Sequence, residues 1–197
     1  PNTQAALKML PPSFAGDPDR FVHLHIFTDG SALDSSKNED AEPAWAVVII
    51  VEARQEDGKS IFSLLNFFGD LVVTADNMPK SVGADVANSL TAERSAVVWA
   101  ILWRLQFAAR PDIPTTLYYD ATSAGMVASG SAGTKDPNML FTIMRGAAML
   151  IEQVTPFSFV HVKAHKGHPW NEMADAVAKA IASKQRVFFP DAAVSMP

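Results

Sequence analysis

The sequence predicts an α/β fold: a five-stranded mixed sheet flanked by helices on both faces. Three observations predict it. A run of three strand-like segments fills the front of the chain. Helical and strand patterns then alternate to the end. With 48% hydrophobic residues in 197, the chain can also bury one sizeable core. A hairpin meander followed by alternating helices and strands gives a sheet with both antiparallel and parallel neighbours.

The elements follow in order. Residues 1–20 hold four prolines and no sustained periodicity, and read as a lead-in or linker. Phe21–Phe27 alternates as a strand, with His23 and His25 on one side, and Thr28-Asp29-Gly30-Ser31 ends it. Residues 33–43 are polar and acidic, a loop. Trp45–Glu52, rich in Val and Ile, is a second strand. Gln55–Lys59 is a turn, and Ile61–Phe68 is a third strand. Residues 69–90 carry no clear pattern. Thr91–Ala109 is a long helix, apolar on nearly every face, with Pro111 beyond it. Thr115–Tyr119 is a short strand, followed by Asp120 and a small-residue helix to Ser129. Asn138–Val154 is an apolar helix, Phe157–Val162 a strand, and Asn171–Ser183 a helix with Met173, Val177 and Ile181 on one face. The domain is therefore expected over residues 21–183, with 184–197 a C-terminal tail.

Composition excludes several chemistries. There is no cysteine, so disulfides, thiolate zinc sites and cysteine nucleophiles are out, and an intracellular location, nuclear or cytoplasmic, is expected. No apolar run reaches membrane-spanning length, and no signal peptide opens the chain. The start at Pro1 suggests a segment of something longer, and a monomer is expected. The net charge of −5 argues against passive nucleic-acid binding, which draws on Lys and Arg. A nuclease escapes that objection, because its acids hold metal ions that face the phosphate.

Four carboxylates sit where elements begin or end. Asp29 ends the first strand, Glu93 lies in the first turn of the long helix, Asp120 ends the fourth strand, and Asp175 lies in the first turns of the last helix. Ligand sites of open α/β sheets gather at such places. Each acid has a plainer reading: Asp29-Gly30 a turn dipeptide, Glu93 a complement to a helix N-terminus, Asp120 an N-cap, Asp175 a partner for Lys179. Taken singly, those readings suffice; the four together, in that order, point to one site. Phosphodiester hydrolysis needs a water in line with the leaving oxygen and stabilisation of added negative charge. A pair of divalent ions does both, and magnesium prefers hard oxygen ligands.

These motifs carry a resemblance. His161-Val162-Lys163-Ala164-His165-Lys166-Gly167-His168-Pro169-Trp170-Asn171-Glu172-Met173-Ala174-Asp175 resembles a long block of type I ribonuclease H domains, of the kind attached to reverse transcriptases in retroelements. Thr28–Ser31, Thr91-Ala92-Glu93, and Tyr119-Asp120 with Ser123-Ala124 resemble the family's other motifs, with Ala121 in place of the usual Ser or Asn. The match covers roughly residues 21–183.

The resemblance implies a metal-dependent endoribonuclease that cuts the RNA strand of RNA–DNA hybrids. It implies two magnesium ions, with manganese an alternative, on Asp29, Glu93, Asp120 and Asp175. His165 would be a mobile histidine that aids proton transfer or product release. A zinc set of His165, His168 and Asp175 is a competing reading without a familiar spacing. Asn88, Ser89, Thr122 and Ser123 flank the acids and are candidates for contacts to the hybrid's 2′-hydroxyls. Trp170 is read as packing. The stretch Gly130–Pro137 holds one lysine, Lys135, where relatives often carry a basic protrusion. Weak standalone affinity is therefore expected, with a covalently linked reverse transcriptase domain supplying grip. The competing function is a catalytically silent module of the same fold, tethering or structural.

Overall fold

The computed structural model describes residues 20–32, 41–74, 80–106, 111–133, 138–164 and 166–184. Three strands open the fold: β1 (Phe21–Ser31), β2 (Ala44–Arg54) and β3 (Ser60–Leu71). They pair antiparallel as a meander. β4 (Thr115–Tyr119) then lies parallel beside β1, and β5 (Phe157–His161) parallel beside β4. The strand order is β3-β2-β1-β4-β5, so β1 stands in the middle with one neighbour of each kind.

Among the described residues, four helices cover the sheet: α1 (Ser89–Gln106), α2 (Thr122–Ala128), α3 (Met139–Val154) and α4 (Pro169–Ala182). Helices α1–α3 bury one face, where Ile26, Val47, Ile49 and Leu117 meet Val97, Ile101, Leu140, Met144 and Ile151. α4 buries the other, setting Met173, Ala174 and Val177 against Phe27, Ala46, Val48, Ile50 and Phe67. Lying between two helix layers, β2 is apolar without alternation from Ala44 to Val51. The strand that alternates is β1, whose His23 and His25 share a side as expected. Their rings stack at 4.5 Å, His25 Nε2 meets Glu52 at 3.2 Å, and His23 Nε2 meets Thr116 Oγ1 at 2.8 Å.

The expected element order holds, and several boundaries move. β1 does not stop at Asp29, because pairing to β2 continues through Gly30↔Trp45 and Ser31↔Ala44. β3 runs on to Leu71 along the edge of β2. α1 begins two residues early: the Asn88 side chain accepts from the Thr91 N–H at 2.9 Å, and Thr91 Oγ1 accepts from the Asn88 N–H at 3.0 Å. That reciprocal cap satisfies donors left over at a helix start. The extension of this helix to Ala109 and the loop over 33–40 lie outside the described residues.

One buried cation organises the end of the sheet away from the acids. Arg104, 1% exposed, donates from Nε to Thr115 Oγ1 at 2.8 Å and from Nη2 to Ile113 O and Thr155 Oγ1. Its guanidinium ties the last turn of α1 to the start of β4 and the end of α3. A buried charge is tolerable only when its donors are satisfied this way.

Candidate active site

The site is assembled from three elements that sequence order keeps far apart. β1 and β4 run parallel with Thr28 beside Tyr119, so the next residue of each, Asp29 and Asp120, emerges at the same edge. Both strands present these acids on the face that carries Phe27 and Tyr118, whose rings stack at 4.5 Å. Glu93 arrives from α1. It sits in the second turn rather than the first, because the helix begins at Ser89. The plainer reading of Glu93 as a complement to the helix N-terminus gives way to a direct approach to β1.

Gly30 makes that approach possible. A Cβ on it would stand 2.3 Å from the Glu93 nitrogen and 2.7 Å from the Ala92 carbonyl carbon. Only a residue without a side chain lets the helix backbone lie against the strand there. The Asp29-Gly30 pair, whose plainer reading is a turn dipeptide, is strand backbone crossed by a helix.

Ligand oxygens of Asp29, Glu93 and Asp120 all lie within 4.8 Å of one another. Asp175, on α4, stands outside this set and pairs with Lys179 at 2.8 Å. Its charge still reaches the others: it raises the pKa of both Asp29 and Glu93. Burial pushes Asp29 up to about 8, with the Asp120 and Asp175 charges adding to it and Lys179 opposing. Burial likewise pushes Glu93 up to about 9, with Asp29 the next cause. Carboxylates crowded in poor solvation resist ionising together. An arrangement that nevertheless gathers them is suited to a cation, and an all-oxygen donor set fits a hard divalent ion.

Further side chains complete the surroundings. Asn171, 2% exposed at the start of α4, donates from Nδ2 to Asp120 Oδ2 at 3.2 Å, and its Oδ1 is buried without a partner among the described residues. Sequence reading took Asn171 only as a helix start; the signal that it turns inward was the apolar face of α4 on which it lies. The His161 ring nitrogen Nε2 donates to the Asp120 carbonyl at 3.1 Å, which fixes that tautomer because a carbonyl only accepts. Thr122 Oγ1 lies 3.4 Å from the same nitrogen. Gly167 N–H points to Glu172 Oε1 at 3.4 Å, closing the loop before α4. His168 packs against Phe27 at 4.9 Å, away from any metal set among the described residues. Trp170 packs as expected on the α4 core. Of the candidate substrate contacts, Asn88 is committed to capping α1 through its Oδ1, while Ser89 and Ser123 are exposed. His165 lies outside the described residues.

No protein-family model and no curated protein matches the chain. Solved structures do. The ribonuclease H1 of the halophilic archaeon Halobacterium salinarum is similar over 82% of this chain and 98% of its own, with a TM-score of 0.53 at 20% identity. LC11-RNase H1, solved in complex with an RNA/DNA hybrid, is similar over 80% and 99%, with a TM-score of 0.51 at 19% identity. The fold is that of ribonuclease H. The prototype foamy virus protease–reverse transcriptase is also similar, over 88% of this chain and 22% of the viral one, with a TM-score of 0.54 at 16% identity.

Within this ribonuclease H fold the raised carboxylate pKa values make a stability prediction. Unfolded, Asp29 and Glu93 titrate near 3.8 and 4.5; folded, near 8 and 9. Between those values the native state holds protons that the unfolded chain has released, so metal-free stability falls as pH rises through this window. A divalent ion binds the deprotonated acids and offsets the loss most at high pH. Thermal melts in EDTA and in magnesium at pH 5.5, 7 and 8.5 check this, with the double variant Asp29→Asn/Glu93→Gln as the flat reference. A metal-free melting temperature that climbs across the range relative to that variant would contradict the assignment.

Proposed function

We propose that the chain is a metal-dependent endoribonuclease that hydrolyses the RNA strand of RNA–DNA hybrids. The observation that carries this reading is the convergence of Asp29, Glu93 and Asp120, three carboxylates from three elements, at the parallel strand ends of a ribonuclease H fold. Asp29, Glu93 and Asp120 would hold the metal, with Asp175 joining on release from Lys179. A pair of bound magnesium ions would supply an activated water and neutralise charge developing on the phosphate; manganese offers the same donor preference.

The chain's own groups prepare that chemistry. Asn171 fixes one oxygen of Asp120, so the carboxylate presents the other outward. His161 holds the Asp120 backbone, which keeps the end of β4 from fraying. Lys179 balances the acidic centre until a ligand enters. His165, in the loop before α4, is assigned proton transfer to the leaving oxygen or product release. Exposed Ser89 and Ser123, on helices at either side of the acids, and the amide of Asn88 are assigned to the RNA strand's hydroxyls. The similarity to a reverse transcriptase chain supports attachment to such a domain in a retroelement polyprotein, which would supply grip that a chain of net charge −5 lacks.

Cleavage of a labelled hybrid tests the reading, with duplex DNA and duplex RNA beside it, in magnesium and in EDTA. Metal-dependent cutting of the hybrid's RNA strand alone, lost in Asp120→Asn, is expected. No cutting under any metal or salt condition, with or without a polymerase domain attached, would leave the fold as a silent module.

A further inference from the structure

A second concavity lies beside the acids on the opposite face of the sheet. α1 crosses β1 and β2, and among the described residues the neighbouring part of β3 is left uncovered, where a cleft of about 360 Å³ opens. Its walls are aromatic: Trp45 of β2, Phe68 of β3, and Trp99 and Trp103 one turn apart on α1. Trp45 and Trp99 stack at 5.5 Å with their planes 8° apart, and Phe68 meets Trp45 edge-on. Three of the chain's four tryptophans therefore face one small space. In a well-packed interior, rings of this size interdigitate and close such a gap.

The polar groups in the cleft are few and complementary. Asp70 shares its wall with Asn66. Asn66 Oδ1 accepts from the Phe67 N–H, which leaves its amide nitrogen to donate. One Asp70 oxygen accepts from the Leu71 N–H, and the other pairs with Lys80, whose side chain is 63% exposed. A solvent-exposed ion pair of this kind is weak and exchanges readily with another donor. The Trp99 Nε1 donor is buried in the same wall without a hydrogen-bond partner among the described residues. The cleft thus offers aromatic walls, a carboxylate acceptor, an amide donor and no net charge.

We infer that this cleft binds an unstacked nucleobase, its ring against the Trp103–Trp99 wall and an exocyclic amine on Asp70. The size suits it, since sites for small ligands begin near 300 Å³. Its placement suits it too. Asp70 pairs with Trp45, and Trp45 with Gly30 next to Asp29, so the cleft stands two strand spacings, about 10 Å, from the acidic centre. A base from a single-stranded end or a free nucleotide presents the same chemistry. The site is independent of hydrolysis and is read without metal.

The experiment is a tryptophan-fluorescence titration of the full chain carrying Trp170→Phe, so that the remaining indoles all belong to the cleft. It is run in EDTA with AMP, CMP, UMP, ribose 5-phosphate and tetramethylammonium, and with an oligonucleotide carrying a single-stranded adenine end. Saturable quenching by AMP and CMP is expected, with UMP weaker for want of an amine. Trp103→Leu should weaken AMP by about tenfold while Trp103→Phe retains most of it, and Asp70→Ala should erase the preference over UMP. Tighter binding of the oligonucleotide than AMP would assign the source as a strand end, and the reverse a free nucleotide. Equal quenching by ribose 5-phosphate or tetramethylammonium would overturn the inference. So would no saturable quenching by any nucleotide, or a Trp103→Leu variant of native circular dichroism that binds AMP unchanged.

Discussion

Asp29→Asn is expected to lower metal-dependent hybrid cleavage by about 10³-fold or more while raising the melting temperature of the metal-free protein. Both effects have one cause. Asp29 is 5% exposed and feels the charges of Asp120 and Asp175, so its ionised form is poorly solvated and repelled. Removing the charge relieves that cost at neutral pH, and the amide fills the same volume. The carboxylate is also the most enclosed of the three that converge. A metal contributes several kcal/mol of charge stabilisation in such reactions, and each 1.36 kcal/mol is about tenfold in rate. Active sites commonly hold this opposition between stability and activity. Single-turnover cleavage and thermal melts in EDTA at pH 8 measure the two sides. A variant that keeps wild-type cleavage would remove Asp29 from the site; one that melts lower without metal would contradict the crowding.

Gly30→Ala is expected to damage both fold and site. The added Cβ would meet backbone atoms of Ala92 and Glu93 well inside contact distance, with no flexible side chain to yield. α1 must lift from β1, and it carries Glu93 away from Asp29 and Asp120. Overpacking of this kind costs about 1–3 kcal/mol, and here the obstruction is backbone, so the upper end applies. For a chain of this size that is a fall of roughly 6–12 °C in melting temperature. Cleavage measured well below the new transition should fall by about 10²-fold, because displacement of a catalytic group by an ångström has that order of effect. Urea titration and hybrid cleavage of the same preparation are the checks. A change in stability within about 0.5 kcal/mol, the range of a neutral surface substitution, would show that the helix does not lie on the strand as described.

Both predictions rest on contacts that the linear sequence did not display. The dipeptide at Asp29-Gly30 has the composition of a turn, and nothing local distinguishes a glycine that frees the backbone from one that admits a neighbour. The neighbour, α1, is some sixty residues away, and its approach exists only once the sheet is built. Arg104 is similar. In sequence it is a cation near a helix end; in the fold it is buried between β4 and α3, with its donors shared among residues up to 51 positions distant. Asn171 was legible as a helix start but not as the partner of Asp120, because the parallel pairing that brings Asp120 to α4 is a long-range event.

What the sequence determined by itself is the order of elements and where the four acids fall along it. Apolar spacing reports the period of each segment directly, since a strand alternates every two residues and a helix face returns near every four. The apolar run of β2 up to Val51 and the stripe of Met173, Val177 and Ile181 were therefore readable, as was the meander that precedes the parallel strands. The four carboxylates stood out because each falls at the boundary of an apolar segment. Tertiary structure alone decided which of them meet. It placed Asp29, Glu93 and Asp120 together, left Asp175 on Lys179, and opened the tryptophan cleft where α1 stops short of β3. Local patterns fix the conformation of a segment, but distances between segments depend on packing, where a missing Cβ at Gly30 or a ring at Trp99 sets how closely two surfaces approach.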